Sequence, residues 1–284
     1  MRGLDGVPPA EAVRAGTWRQ VVALFAVAYL LSWLVWGSVI AQDRGLIGFH
    51  IPQGLALWGV FFASVIVALA TGGRDALMDL ARRALRWRVA PIWYAVVLLV
   101  PAGIVAVSVA AAKLLGDDVP VGVDMPVGSA LAYFATGVFF FTLTEETGWR
   151  GFVLPRLQSK FTPLAATLVL AAGWTVWHLP LWFIADSPQA AWPFLGFAVL
   201  VLAQSVLMTW VFDHARGSVL LMGIFHAAAD ASLSFGGSLS GSSLAFWVTV
   251  AVYVLAAGAV VLRAPGALVS LAEPTRRGPA AVAG

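Results

Sequence analysis

Long apolar runs separated by short polar connections recur along this chain of 284 residues. A helix that crosses the hydrocarbon core of a bilayer needs about 20 mainly apolar residues. We therefore expect an all-α fold, a polytopic membrane bundle of about eight transmembrane helices. The apolar runs place these helices at 18–40, 54–70, 90–113, 128–152, 162–184, 193–212, 217–235 and 244–262.

The Lys and Arg residues of the connections predict the orientation of these helices, because positive charge concentrates on the cytoplasmic side of membrane proteins. With a cytoplasmic N-terminus, fifteen of the 17 Lys and Arg residues lie inside, and Arg44 and Lys113 lie outside. Inverting the orientation or removing one helix abolishes this asymmetry. We expect both termini to be cytoplasmic. The net charge of +3 then reflects membrane topology and indicates no nucleic-acid partner.

The chain divides into four regions by composition. Residues 1–17 are polar and lack the apolar core of a cleaved signal, so they predict a cytoplasmic N-terminal segment. The three helices within 18–127 carry no motif, but an arginine-rich stretch at 74–88 predicts an amphipathic helix on the inner leaflet. A charged connector explains that stretch equally well. Residues 128–262 hold the candidate catalytic core, and 263–284 predict a mobile cytoplasmic tail.

The overall composition is that of an integral membrane protein. Hydrophobic residues make up 61% of the chain and charged residues 11%, whereas soluble domains carry about 25% charged residues. The absence of Cys excludes disulfides, thiolate metal ligands and a Cys nucleophile. The excess of Arg over Lys is typical of a GC-rich bacterial genome, so we expect a protein of the bacterial cytoplasmic membrane.

A few polar residues interrupt the predicted helices, and polar side chains at membrane depth usually mark function. An ionised group at the bilayer centre costs roughly 2.5–3.5 kcal/mol on insertion scales, so each such residue needs a compensating interaction. After the interfacial residues are set aside, the remaining ones are Glu145, Glu146, Arg150, His178, His226 and Asp230, with Asp213 and His214 near a helix end.

The two adjacent glutamates have different predicted roles. Glu146 and Arg150 are four residues apart with the acid first, which favours an ion pair along a helix. Glu145 points ~100° away from Glu146 around an α-helix and cannot share that pair. It is left as an unpaired carboxylate in an apolar environment, where it is suited to act as a general base.

Histidines on two other helices are candidates to complete a site with Glu145. His178 follows Trp174 by four residues, which predicts that the two rings stack on one helix face. His226 and Asp230 have the same spacing, so the carboxylate can hold one imidazole nitrogen and fix its tautomer. Each histidine alone is equally compatible with helix packing. Together with Glu145, however, they favour a water-activating site.

One difficulty concerns the depth of these residues in the membrane. His178 lies in the outer half of its predicted helix, whereas Glu145 lies near the middle of its own. Straight helices with these boundaries leave the two side chains more than ~10 Å apart. Tilted helices, or boundaries shifted at Pro155 or Pro163, would close this gap.

Three motifs follow one another along the chain: Glu145-Glu146-x-x-x-Arg150-Gly151, Trp174-x-x-x-His178 and His226-x-x-x-Asp230. In this order they resemble the motifs of the CPBP family, which contains CAAX prenyl endoproteases of the Rce1 type and bacteriocin-processing or immunity proteins of the Abi type. The resemblance covers roughly residues 128–232. Trp174 replaces the usual Phe of the second motif, and Asp230 replaces a frequent Asn of the third, which leaves the role of residue 230 open.

The resemblance implies an eight-helix enzyme that hydrolyses peptide bonds of a membrane-embedded or lipidated substrate within the bilayer. It implies that Glu145 and His178 activate water, while His226 and residue 230 stabilise the oxyanion. Glu146 and Arg150 would support the site.

The family has been described as metalloproteases, and a metal-free glutamate mechanism is also proposed for it. His178, His226 and a carboxylate, Asp230 or Glu145, could form a three-ligand zinc site. The chain has no His-Glu-x-x-His motif, and we favour a mechanism without metal.

Three other functions are compatible with parts of the sequence. A non-proteolytic immunity or scaffold protein of the same family would retain the motifs. A proton-coupled transporter could use the same residues as a relay, but the inverted repeats typical of transporters are not evident. A rhomboid-like serine protease would need Ser238 as nucleophile and His226 as base. The Gly/Ser-rich stretch around Ser238 is better explained as a linker.

Overall fold

The structure, a computed structural model, describes residues 10–119, 126–236 and 243–263, together with Gly122 and Leu268. Most of the predicted N-terminal segment and C-terminal tail, and Ser238, lie outside the described residues. All regular structure in the described part is helical, which confirms the predicted all-α class. The α-helices are α1 Ala10–Asp43, α2 Trp58–Ala84, α3 Pro91–Leu114, α4 Val127–Phe141, α5 Leu154–Gln158, α6 Pro163–Trp177, α7 Phe194–His214, α8 Val219–Phe235 and α9 Ser243–Arg263.

The described helices include seven segments that are long and apolar enough to cross a membrane. Helix α8 corresponds to the seventh predicted span, 217–235, and has 17 residues, at the short end of the range for a spanning helix. The prediction of a polytopic helical bundle is therefore confirmed. The seven segments are Thr17–Asp43, Gln53–Ala84, Pro91–Leu114, Val127–Gln158, Pro163–Phe183, Phe194–His214 and Leu244–Arg263.

Local sequence explains where several helices begin. Pro163 occupies the first position of α6, where its missing N–H costs nothing, and the Thr162 hydroxyl accepts a hydrogen bond from the Ala165 amide at 3.3 Å. Pro163 therefore starts a helix. Helix α8 begins similarly, because the Ser218 hydroxyl accepts from the Leu221 amide at 3.2 Å.

Gly73 interrupts α2 with a φ of +60°, in the left-handed region that glycine adopts without a steric penalty. The residues after Gly73 form a separate helical piece that ends at Ala84, four residues before the end of the predicted amphipathic stretch. Leu80 is buried in this piece, and Arg82 is exposed. Leu85, at the end of the piece, is 75% exposed, and the amphipathic helix on the inner leaflet stays a prediction.

Helix α4 continues directly into a π-helix at Thr142–Val153, and α5 follows it. The wider winding is visible in the Thr147 hydroxyl, which donates to the carbonyl oxygen of Thr142, five residues earlier, at 2.7 Å. Such π segments are rare and frequently occur at functional sites. This one carries both adjacent glutamates and Arg150.

Two glycines allow neighbouring helices to approach the π segment closely. A Cβ atom at Gly148 would lie 2.4 Å from Cγ1 of Val60 in α2, and one at Gly223 in α8 would lie 1.8 Å from Oγ1 of Thr142. Small residues commonly allow such close packing of membrane helices. The π segment is thereby enclosed between α2 and α8 in the core of the bundle.

Candidate functional site

The charged residues of the π segment are buried in the bundle. Glu145 is 2% exposed, and Glu146 and Arg150 are fully inaccessible. Charged side chains are almost never fully buried unless they are paired or hydrogen-bonded. The partners of these three groups therefore determine what the site can do.

The predicted ion pair between Glu146 and Arg150 is present. Arg150 Nη1 donates to both carboxylate oxygens of Glu146 at 3.0 Å, and Nη2 donates to the Ser205 hydroxyl of α7 at 3.1 Å. The guanidinium also lies over the Trp174 ring, 4.4 Å from its centroid. This cation–π contact joins the pair to α6.

Glu146 has a second partner, His226, which the sequence spacing paired with Asp230. His226 Nδ1 lies 2.8 Å from Glu146 Oε1, and the imidazole stacks on Phe141 at 4.0 Å between ring centroids. The predicted orienting bond from Asp230 to His226 is therefore wrong, because the π segment turns Glu146 towards α8. Since a carboxylate only accepts, Nδ1 of His226 carries the proton.

Asp230 instead accepts a hydrogen bond from Tyr133 of α4, whose hydroxyl lies 2.8 Å from Oδ2. Tyr133 was not among the predicted site residues, because it lies in a stretch without charged residues. The signal that could have identified it is the phenol itself, since a tyrosine hydroxyl in an apolar helix needs a polar partner.

Glu145 also has a partner. The indole Nε1 of Trp174 donates to Glu145 Oε2 at 2.9 Å, so the carboxylate is not unpaired as predicted. The donor is the residue at which this chain departs from the family pattern. A phenylalanine has no N–H and could not make this hydrogen bond.

His178 lies immediately after the last residue of α6. Its Nδ1 is 2.8 Å from the carbonyl oxygen of Trp174. A carbonyl only accepts, so Nδ1 carries the proton in the neutral ring and Nε2 keeps its lone pair. The Trp174 and His178 rings are neighbours, with centroids 5.8 Å apart, but they are inclined by 52°. The predicted stacking of these rings is therefore wrong.

A cavity of about 200 Å³ brings together candidate residues of three helical segments, the π segment, α6 and α8. Trp174 lies one helical turn, about 5.4 Å, before His178 along α6 and contacts both His178 and Glu145. The indole of Trp174 and its backbone carbonyl oxygen thus link the two residues that the sequence placed at different depths. The residues that line this cavity include Glu145, Trp174, His178, His226 and Asp230.

The predicted zinc ligands do not form a three-ligand site. Within the described residues, no three side chains of His, Cys, Asp or Glu are grouped closely enough to hold a metal ion. The hydrogen bonds explain this, because Glu146 engages His226 and Trp174 engages Glu145. We therefore derive no step of the reaction through a metal.

Asp213 and His214 lie at the end of α7 and do not line the cavity. Asp213 accepts two hydrogen bonds of 3.0 Å from the Gln158 amide group. The His214 ring packs near Trp93 and Trp210, with centroids 5.5 and 5.2 Å away. These two residues are part of the packing at this end of the bundle.

The fold and the site together define a polytopic helical membrane protein with a buried glutamate and histidine cluster. Residues 127–232 match the family model described as "Rce1-like: Type II CAAX prenyl endopeptidase Rce1-like". This part of the chain is thus similar to the Rce1-like family, which confirms the predicted resemblance to the CPBP family.

A part of the chain also resembles a curated relative, "CAAX prenyl protease 2" of Methanococcus maripaludis. The two are 34% identical over 88 residues, which cover 29% of this chain and 32% of the relative. The match spans about a third of the length of this relative.

Proposed function

We propose that this chain is an intramembrane endopeptidase that hydrolyses peptide bonds with a water molecule activated by Glu145 and His178. The observation that carries the proposal is the shared cavity, in which Trp174 binds Glu145 through its indole and His178 through its carbonyl oxygen. The relationship to CAAX proteases supports the same reaction class.

The charges of the cluster are compatible with an ionised Glu145. Glu146 and Arg150 neutralise each other, and among the other groups Glu145 and His226 are the two whose charges can offset each other. One proton on this second pair makes the four groups neutral together, and neutrality is strongly favoured in an apolar interior. With that proton on His226, Glu145 is a base and His226 is a cationic donor.

The reaction then proceeds by general acid–base catalysis. Glu145 takes a proton from the water while Nε2 of His178 accepts a hydrogen bond from it, and the water oxygen attacks the carbonyl carbon of the substrate. A tetrahedral intermediate forms with the charge on the former carbonyl oxygen. The protonated Glu145 then passes its proton to the leaving amine as the C–N bond breaks.

We assign stabilisation of the oxyanion to His226 alone. The protonated imidazole donates from Nε2, while Glu146 holds Nδ1 in place. The resemblance implies a second donor at residue 230, but Asp230 accepts from Tyr133 and has no N–H to offer. We assign to Asp230 a contact with a substrate N–H at the cavity wall.

The substrate class follows from the surroundings of the site. The cavity lies inside a bundle of membrane-spanning helices, so the substrate is a membrane-embedded or lipidated peptide, and the bilayer is the solvent of the reaction. We propose that the protein acts in a bacterial cytoplasmic membrane. The close packing of α2 against Gly148 supports the proposal that the helices before residue 128 hold the catalytic core at 128–262 in place.

The decisive variant is Glu145→Gln, which preserves the size of the side chain and an oxygen that can accept from Trp174. We expect proteolysis to fall by roughly 10²- to 10⁴-fold, the usual contribution of a general base. Proteomics of cells that express Glu145→Gln in place of the wild type should reveal membrane peptides that remain uncleaved. Asp186→Asn is the matched control, because this carboxylate is exposed and outside the cavity.

Identical peptide profiles for cells that express the wild type and cells that lack the protein would favour the non-proteolytic immunity or scaffold function. Full cleavage by Glu145→Gln would instead show that another residue activates the water. The two results therefore distinguish a wrong reaction class from a wrong catalytic residue.

A further inference from the structure

The described ends of the bundle differ in charge. Three connections meet at one end, which we call the arginine-rich end, and hydrogen bonds hold them together. The Ser218 hydroxyl donates to the Arg86 carbonyl oxygen at 2.6 Å, and Arg156 Nε donates to Gln20 of α1 at 2.7 Å. The basic residues of these three connections and the adjoining helix ends are Arg82, Arg83, Arg86, Arg88, Arg156, Lys160 and Arg216.

The opposite end has more acidic than basic residues. In its described part Arg44 and Lys113 are the basic residues, and the carboxylates are Asp43, Asp117, Asp118 and Asp186. Lys and Arg accumulate in the short connections that lie on the cytoplasmic side of a membrane protein. This asymmetry therefore assigns the arginine-rich end to the cytoplasm. The opposite end then faces the extracytoplasmic side.

The cavity lies in the half of the bundle that is remote from the arginine-rich end. Its wall includes Gln189 and Trp192 from the connection between α6 and α7, which belongs to the opposite end. It also includes Leu57, just before α2, and Leu233, near the end of α8. No described residue of the arginine-rich connections lines it.

We propose that the catalytic cavity is accessible from the extracytoplasmic side and takes peptide segments presented there. The substrate part of this inference rests on the proposed proteolytic function, whereas the orientation does not. The corresponding substrate class is an exported peptide, or a membrane peptide with its cleavage site near the outer leaflet. A cytosolic chain with a lipidated C-terminus would approach the arginine-rich end, away from the cavity.

The orientation is testable by labelling of single cysteines, because the chain contains no Cys and needs no substitutions to remove background. Ala190→Cys places a thiol at an exposed position in the connection beside the cavity, and Ser159→Cys places one at an exposed position of the arginine-rich end. A membrane-impermeant maleimide is added to spheroplasts that express the full chain. We expect labelling of Ala190→Cys in intact spheroplasts and of Ser159→Cys only after lysis.

Labelling of Ser159→Cys in intact spheroplasts would overturn the proposal, whether or not Ala190→Cys is labelled. Failure of Ala190→Cys to react before lysis, with reaction afterwards, would overturn it as well. Asp186→Cys, at another exposed position of the same connection, repeats the measurement if Ala190→Cys reacts in neither state.

The substrate class has a separate test. Membrane peptides that accumulate uncleaved with Glu145→Gln should have their cleavage sites on the extracytoplasmic side, and cytosolic sites would contradict the proposal. A failure of the proposed proteolytic function leaves the labelling result unchanged. Conversely, a reversed orientation leaves any Glu145-dependent cleavage intact, so the two failures are distinguishable.

Discussion

Trp174 donates its indole N–H to Glu145 at 2.9 Å, and this bond links α6 to the π segment in the centre of the bundle. The carbonyl oxygen of the same residue accepts from His178 at 2.8 Å. One residue thus positions both groups that we assign to water activation. The guanidinium of Arg150, over the Trp174 ring, connects the same residue to the buried ion pair.

The first prediction concerns Trp174→Phe, which retains an aromatic ring and removes the donor to Glu145. We expect kcat/KM for peptide cleavage to fall about tenfold, at the lower end of the value of a hydrogen bond to a charged group. The loss should be smaller than that of Glu145→Gln, because the base itself remains.

The matched control for Trp174→Phe is Trp182→Phe. Its indole donates to the Trp192 carbonyl oxygen at 2.8 Å, away from Glu145. Equal losses for the two variants would mean that Trp174 contributes only packing. Thermal unfolding in detergent checks that both variants are folded.

The second prediction separates stability from activity at the buried ion pair. Arg150→Met leaves the buried cluster with one uncompensated negative charge, because His226 alone cannot balance Glu145 and Glu146, and should destabilise the protein by about 3–5 kcal/mol. The double variant Glu146→Gln with Arg150→Met should regain part of this stability. It should not regain activity, because His226 then loses the carboxylate that holds its Nδ1.

The control for this cycle is the exposed ion pair of Asp79 and Arg83, which has the same i, i+4 spacing and a distance of 2.8 Å. Its side chains are 52% and 28% exposed, and Arg83→Gln should change the free energy of unfolding by less than about 1 kcal/mol. A double variant at Glu146 and Arg150 with full proteolytic activity would contradict the role assigned to His226.

The sequence predicted the helices well because the bilayer dictates their length and composition. Every predicted span overlaps at least one described helix, although 128–152 crosses from α4 into the π segment and 162–184 extends beyond α6, and the ion pair of Glu146 and Arg150 follows from the spacing of two residues within one turn. These features depend on local sequence, which a single chain displays directly.

The partners of Glu145 and His226 were not predictable in the same way. The i, i+4 argument for Asp230 considered α8 alone, whereas the actual partner of His226 is 80 positions away in the sequence. The ~100° separation assumed for the two glutamates holds for an α-helix, but both lie in a π-helix. The packing of α2 and α8 around Gly148 and Gly223, which leaves no periodic signal, determines those contacts.

The third prediction tests this packing with Gly223→Ala. The new Cβ atom would lie 1.8 Å from Oγ1 of Thr142, so α8 and the π segment must separate. We expect a loss of about 1–3 kcal/mol in stability, as for other overpacked positions. A shift of α8 also moves His226, so proteolysis should fall as well.

Gly258→Ala in α9 provides the control, because a Cβ atom at that position meets no atom within 4 Å. This variant should be neutral or slightly stabilising, since alanine favours a helix over glycine. If Gly223→Ala has the stability and activity of the wild type, the close approach of α8 to the π segment does not govern the site.

The fourth prediction concerns metal removal. The described residues group no three His, Cys, Asp or Glu side chains into a metal site, and the proposed reaction uses the base Glu145, the acceptor His178 and the donor His226. Incubation of the purified protein with 1,10-phenanthroline should therefore leave peptide cleavage unchanged, as should added Zn²⁺. The measurement is the cleavage rate before and after dialysis, with a known zinc protease treated in parallel to show that the chelator was effective.

Loss of cleavage that Zn²⁺ restores would contradict this prediction. It would require His178 and His226 to move their Nε2 atoms towards a shared ion, and it would replace the mechanism in which Glu145 acts on free water.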